Sequence, residues 1–291
     1  MADDLQPAGQ VTFVGTATTL LRLGGFTLLT DPNFLHAGEH AYLGYGLFSR
    51  RLTNPAMPIA ELPDLDAVLL SHLHGDHFDR RARHGLPRSL PIITTPQAQR
   101  RLKRWGFGAA DGLATWERYE LRRGDERLTI TSVPGHHGPG LLDRLLPPVM
   151  GSIIDLERAG RRLLRLYVTG DTLYRPELAE IPARFPGIDA MLVHLGGTRI
   201  LGFLVTMDGL QGVDLMRLVN PKVTLPIHYD DYRVFRSPLT DFLGAAARHD
   251  LRPAIQTLRR GDTRPLIGPP PAALADGADG RRRGEDRTSR R

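Results

Sequence analysis

Apolar residues in this chain come mostly in short bursts that suit strands, and only three stretches carry the three-to-four-residue rhythm of an amphipathic helix. Residues 11–15, 19–23 and 26–30 open the pattern as three strands. Gly24-Gly25 between the second and third is a two-residue hairpin signal. Asp31-Pro32-Asn33 then ends the third strand as a turn. Residues 34–58 are rich in Gly, Tyr and Pro without a clear period, which predicts a long surface loop. Residues 67–70 form a continuous apolar run, the mark of a strand buried on both faces. Further strands are expected at 92–94, 128–133, 190–193 and 223–227, with a hairpin of 152–156 and 163–169 around Ala159-Gly160. The helical stretches are 97–105, with Pro96 at its start and Gly106 at its end, then 209–219 and 238–249.

From about residue 268 the pattern stops. Proline, small residues and an arginine-rich run offer little to bury, so the expected organisation is one domain over residues 1–267 and a disordered Pro/Arg-rich tail over 268–291. The composition of the 291 residues, 41% hydrophobic and 24% charged, is that of a globular protein. The most apolar region, 188–205, is interrupted by Asp189, His194 and Arg199, so no membrane span is expected. The first ten residues carry Asp3 and Asp4 and no apolar stretch. They do not read as a secretory signal, and the expected location is cytoplasmic. With no cysteine, any metal must be held by nitrogen and oxygen. The net charge of +6 comes almost wholly from arginine, Lys103 and Lys222 being the two lysines. The basic clusters are scattered and not interleaved with aromatics, so solvated faces are expected in place of a nucleic-acid surface.

One event recurs. A short apolar strand ends and a His or Asp follows, at His72, at His136-His137, at Asp171, at His194 and at His228. Strand ends on one sheet edge converge in space, and chemistry is commonly placed there. The densest of these places is Ser71-His72-Leu73-His74-Gly75-Asp76-His77. His72 and His74 are two residues apart, so an extended segment turns both rings to one side. Gly75 permits a sharp turn, after which Asp76 and His77 can address a second ion. A strand alternates faces, so only one of His136 and His137 can reach a metal.

The string from His72 to His77 resembles the signature of the metallo-β-lactamase superfamily. Pro134-Gly135-His136-His137, Thr169-Gly170-Asp171-Thr172 and Pro226-Ile227-His228-Tyr229 are similar to its distal motifs. Phe13-Val14-Gly15-Thr16-Ala17-Thr18 and Leu28-Leu29-Thr30-Asp31-Pro32 resemble the branch containing the ascorbate-6-phosphate lactonase and the N-acyl-phosphatidylethanolamine phospholipase D. That branch often carries His where this chain has Thr16. The resemblance covers about residues 10–265. It implies an α+β fold, an αββα four-layer sandwich. It also implies that His72, His74 and His137 hold one divalent ion, that Asp76, His77 and His228 hold a second, and that Asp171 bridges them. The spacing from Pro134 in the family selects His137 over His136. Two ions held by nitrogen and oxygen suit Zn2+, with Mn2+ or Fe as alternatives.

The implied activity is hydrolysis of a small-molecule ester, phosphodiester or lactone by a hydroxide bridging the metals. Asp76 would orient that hydroxide. His194 would line the pocket or donate to an oxyanion, and Asp208 would support a metal ligand or cap the helix that follows it. Asp31 reads as support for the site or as a plain turn residue. His36, His40, His84 and His249 have no partner pattern and read as surface, and Trp105 and Trp116 as core. The expected partner is an anionic small molecule. Residues 34–58 and 139–150 would supply pocket walls, the apolar run 141–149 acting as a lid or hydrophobic wall. Two alternatives use the same constellation: a nucleic-acid-processing nuclease and a metal-binding module without catalysis. Nucleases of this kind often carry an extra domain between the bridging Asp and the last His, and only residues 172–227 lie there.

Overall fold

The computed structural model describes residues 8–44, 46–140 and 142–267, and the expected tail at 268–291 lies outside the described residues. In chain order the strands are β1 (Gly9–Gly15), β2 (Thr18–Leu23), β3 (Phe26–Thr30), β4 (His40–Tyr42), β5 (Phe48–Arg50), β6 (Ala67–Leu69), β7 (Ile92–Thr94), β8 (Ala110–Gly112), β9 (Arg118–Arg123) and β10 (Glu126–Pro134). They continue with β11 (Met150–Arg158), β12 (Arg161–Val168), β13 (Ala190–His194), β14 (Arg199–Ile200), β15 (Phe203–Leu204), β16 (Val223–Ile227) and β17 (Thr263–Pro265). The α-helices are α1 (Arg80–Gly85), α2 (Pro96–Arg104), α3 (Leu142–Leu145), α4 (Glu180–Arg184), α5 (Gly209–Val219) and α6 (Leu239–Ala247).

Two sheets carry the architecture, one ordered β17-β1-β2-β3-β6-β7-β8 and the other β16-β13-β12-β11-β10-β9. The two-residue period of a strand shows how they stack. Ile154 and Leu156 of β11 and Ala190 and Leu192 of β13 point to a core shared with Val11, Phe13, Leu28 and Leu69 of the first sheet. Their neighbours Ile153, Met191 and Val193 point the other way, to a core built with α5 and α6. On the far side, Val14, Leu29, Val68 and Ile92 pack against Phe78, Ala82 and Leu102 around α1 and α2. Each sheet therefore buries both faces, which is why its strands read as near-continuous apolar runs. The result is the αββα sandwich that the family resemblance implies.

Local chemistry fixes the element ends. Helix α2 starts at Thr95, whose side chain accepts from Ala98 N at 3.3 Å, and α5 ends at Asn220 in the left-handed region. The β11–β12 turn takes positive φ at Ala159 and Gly160.

Residues 34–58 run largely outside regular structure, as expected of a surface loop, but the segment is more organised than that. β4 and β5 pair as a hairpin, and Phe34, Leu35, Ala41, Leu43 and Arg51 are buried. Strands of three residues are too short to display a period. No helix among the described residues is long and apolar enough to cross a membrane.

Pairing directions place the chemistry. β12, β13 and β16 run parallel, and β10 joins them through antiparallel β11, so all four end on one edge. In the other sheet β3 and β6 are parallel. Asp31, Ser71, Asp171, His194 and His228 follow or close these strands.

Candidate metal centre

The residues read from sequence as ligands meet in two buried groups. His72, His74 and His137 form one; Asp76, His77, Asp171 and His228 form the other. Within each group one ligand atom per residue lies within 4.8 Å of all the rest. In the first group His72 Nε2 lies 2.9 Å from His74 Nδ1, and His137 Nε2 lies 3.2 Å from it. Nitrogens around one tetrahedral divalent ion stand about 3.4 Å apart, so this convergence is the spacing of a coordination shell. In the second group His77 Nε2 lies 3.2 Å from Asp171 Oδ2, and His228 Nε2 lies 3.5 Å from Asp76 Oδ2.

The far side of most ligand rings is engaged, which fixes the tautomer and the aim of the ring. His72 Nδ1 meets Ser71 Oγ at 3.0 Å. His137 Nδ1 donates to the Val205 carbonyl and His228 Nδ1 to the Leu195 carbonyl, both at 2.9 Å. His77 Nδ1 faces Asp31 Oδ2 at 3.3 Å. His74 is the exception, presenting Nδ1 to the centre.

The donor set fits a cation. His77 Nε2, His228 Nε2, Asp76 Oδ1 and Asp171 Oδ1 are buried and make no hydrogen bond, although His77 Nε2 is close to Asp171. Orphaned buried polar atoms are rare because each costs free energy, and four on the side chains of one candidate ligand group fit a bound cation that uses lone pairs. Electrostatics divides the groups. Burial, together with neighbouring imidazoles, lowers the proton affinity of His72, and burial with His137 brings His74 to about 3. In the second group burial also opposes protonation of His77 and His228, but Asp171 and the other carboxylates outweigh it and raise both. Positive charge is therefore favoured there.

Asp31 supports both ends of the ligand string. Its Oδ1 accepts from Ser71 N at 2.7 Å and Ser71 Oγ at 3.0 Å. Its Oδ2 faces His77 and, at 3.4 Å, His194 Nε2. Burial raises its proton affinity, but His77 and His194 overcome that and hold the carboxyl at about 2. His194 has no exposed surface; it stacks on His77 and faces Asp31 and Thr169. Asp208 caps α5, accepting from Gln211 N at 3.0 Å, and is absent from both ligand groups. His136 is half-buried and pairs with Asp143 at 3.1 Å, outside the groups. Thr16 contributes its backbone, its carbonyl accepting from His228 N at 2.7 Å. His36, His40, His84 and His249 are exposed. Ser71, Asn33, Arg51 and Thr206, which bonds Asp171 Oδ2 at 3.3 Å, escape sequence reading. Each is an ordinary residue type with a partner 18 to 42 residues away along the chain.

Residues 27–229 match the family model described as a beta-lactamase superfamily domain. The N-acyl-phosphatidylethanolamine-hydrolyzing phospholipase D 1 of Caenorhabditis elegans is 28% identical over 239 residues, covering 76% of this chain and 64% of the relative. A protein of Archaeoglobus fulgidus described as a UPF0173 metal-dependent hydrolase is 25% identical over 263 residues, 87% of this chain and 97% of that one. This chain spans 60–64% of the length of the first four curated relatives. Among solved structures, the isothiocyanate hydrolase from Delia radicum gut bacteria superposes with a TM-score of 0.72 at 20% identity, covering 88% of this chain and 98% of that one. A possible metal-dependent hydrolase from Veillonella parvula gives 0.74 at 21%, with the same coverage. The match over residues 27–229, the sandwich and the relatives agree: the chain belongs to the metallo-β-lactamase superfamily, in the branch that includes the N-acyl-phosphatidylethanolamine-hydrolyzing phospholipase D.

Proposed function

We propose that this protein is a binuclear metal-dependent hydrolase of a small-molecule ester, phosphodiester or lactone. The observation that carries this reading is the pair of buried ligand groups, the second of which holds four buried side-chain atoms that make no hydrogen bond. His72, His74 and His137 would hold one ion, Asp76, His77 and His228 the other, with Asp171 shared. The charge of Asp171 acts on His72, His74 and His137 as well as on His77 and His228, which supports the shared role. The all-nitrogen and oxygen donor set suits Zn2+, with Mn2+ or Fe as alternatives.

When bound, two such ions supply a water that ionises near neutral pH and a positive field for the charge that builds on the attacked oxygen. The chain's own groups do the rest. Asp76 Oδ1, buried and without a hydrogen bond, is available to accept one from the attacking water and so orient it. Asp31 holds His77, and His194 holds Asp31, so His194 acts as a positioning residue in this reading. The relatives named for phospholipid and isothiocyanate hydrolysis support hydrolysis as the reaction class. Exposed Phe48, Leu201 and Phe203 lie on hairpins next to the ligand segments and favour a substrate with an apolar portion beside an anionic group. An inserted nuclease domain has no place here, since residues 172–227 are taken up by α4, β13, β14, β15, α5 and β16.

The test is elemental analysis followed by turnover of bis-p-nitrophenyl phosphate, a simple lactone and a chromogenic cephalosporin by the zinc- and manganese-loaded chain. Two ions per chain and turnover of the phosphodiester or lactone are expected. A chain that takes up no zinc or manganese refutes the metal reading. A cephalosporin turned over at least tenfold faster refutes the substrate class.

A further inference from the structure

Gly75 is the hinge of the ligand string: His74 on one side belongs to the first group, and Asp76 on the other belongs to the second. Its peptide is clamped. The Gly75 N–H donates to the Tyr42 carbonyl at 2.9 Å. A Cβ at Gly75 would stand 2.7 Å from Tyr42 N and O, so no side chain fits between the two backbones. The Gly75 carbonyl accepts from Asn33 Nδ2 at 2.9 Å.

Asn33 is fully buried and its hydrogen-bonding groups are all used. Its N–H donates to Thr18 Oγ1 at 2.9 Å, and its carbonyl accepts from Arg51 Nη1 at 3.0 Å. Its Oδ1 accepts from Arg51 Nη1 and, at 3.0 Å, from the Tyr232 hydroxyl. A guanidinium has donors only, so the amide atom facing Arg51 must be oxygen, and Nδ2 must then face Gly75. Arg51 is itself immobilised: it has no exposed surface, and its Nε donates to the Thr53 carbonyl at 3.0 Å. The orientation of the Asn33 amide is thus dictated by a buried cation supplied by residues 34–58.

We propose that Asn33, locked by Arg51 and Tyr232, is a positioning residue that sets the separation of the two ligand groups through the Gly75 carbonyl. This rests on the two-ion reading above. Asp76 depends on the clamp most. His77 is held from outside its group by Asp31 and His228 by the Leu195 carbonyl, whereas Asp76 Oδ2 faces His228 and His77 of its own group and Asp76 Oδ1 has no hydrogen bond.

Asn33→Asp separates positioning from folding. It keeps the acceptor for Arg51 and Tyr232 and gives the buried guanidinium, whose Nη2 makes no hydrogen bond, an anionic partner. It removes the donor to Gly75 and sets a carboxylate oxygen against a carbonyl oxygen. The expected result is an unchanged or higher Tm, with the second ion weakened about 10–100-fold relative to the first in chelator competition. The Co2+-loaded variant should also show an altered visible spectrum. Should the buried carboxylate prevent folding, Asn33→Ser removes the donor to Gly75 without adding charge; it also removes the acceptor for Arg51 and Tyr232, so a lower Tm is expected and only the ratio of the two ion affinities is read, an unchanged ratio overturning the proposal. Wild-type affinities and spectrum in the variant would overturn the proposal, as would equal loss of both ions together with a fall in Tm. A wild-type chain that binds no metal would instead refute the two-ion reading.

Discussion

The two ligand groups lie side by side, yet they handle charge in opposite ways. Three imidazoles make the first, and their burial keeps them neutral, with lone pairs available. The second sets His77 and His228 among Asp76 and Asp171, with Asp31 behind, so positive charge is favoured in spite of burial. One group offers nitrogen donors without compensating anions, while the other offers anions that repay desolvation of a cation. Asp171 is where the difference is reconciled, since its charge acts on both.

Removing that shared anion should therefore have the largest effect. Asp171→Ala is expected to lose metal from both groups and more than about 100-fold in activity, beyond the range for residues that only support a ligand. A variant with near-normal turnover and two ions per chain would break the comparison. Asp31→Asn is expected to act on one side only, weakening the second ion by about 10–100-fold because His77 loses the carboxylate that faces its Nδ1. Equal loss of both ions would show that Asp31 serves the whole loop, through Ser71, and not His77 in particular.

Protons compete with cations for the same lone pairs, so the two groups should part as pH falls. His77 and His228 have raised proton affinities and are protonated first on acidification. His74, at about 3, and His72 resist protonation until far lower pH. Hence the second ion should be released at a higher pH than the first. Metal content after dialysis at stepped pH checks this; loss in the reverse order would contradict the assignment of charge.

The residues of the two groups were legible because they follow strand ends: His72, His74, Asp76 and His77 come after β6, His137 after β10, Asp171 after β12 and His228 after β16. The four-layer sandwich was legible through resemblance, and the strands through runs buried on both faces. Other elements left no such mark. β9 is an edge strand with Arg118, Glu120, Arg122 and Arg123 in six residues, and its charges hide its identity. α1 offers a single buried residue, Ala82, on a short polar segment. Asn33 read as a turn residue and Arg51 as part of a loop, because their partners are set by the tertiary fold: Gly75 is 42 residues from Asn33, and Tyr232 is 199.

The smallest predicted effect concerns Asp208, which stands outside both groups. Its backbone is extended and its carboxylate accepts from Gln211 N, the third residue of α5, in the geometry of an N-cap. Gly209 N is taken by Ser237 Oγ at 3.0 Å, so the helix start relies on Asp208 for the Gln211 donor in particular. Asp208→Ala should cost about 1 kcal/mol of stability, and Asp208→Asn only a few tenths, because an amide oxygen caps nearly as well. A carboxylate that supports a metal ligand or moves a proton would rank these variants differently, since Asn keeps the cap but abolishes the charge. Thermal unfolding and turnover of the two variants, measured together, decide the matter. Intact activity in Asp208→Asn with a lowered Tm in Asp208→Ala assigns Asp208 to the helix. A loss of turnover in Asp208→Asn at unchanged Tm would return it to the site and extend the anionic second group by one more carboxylate.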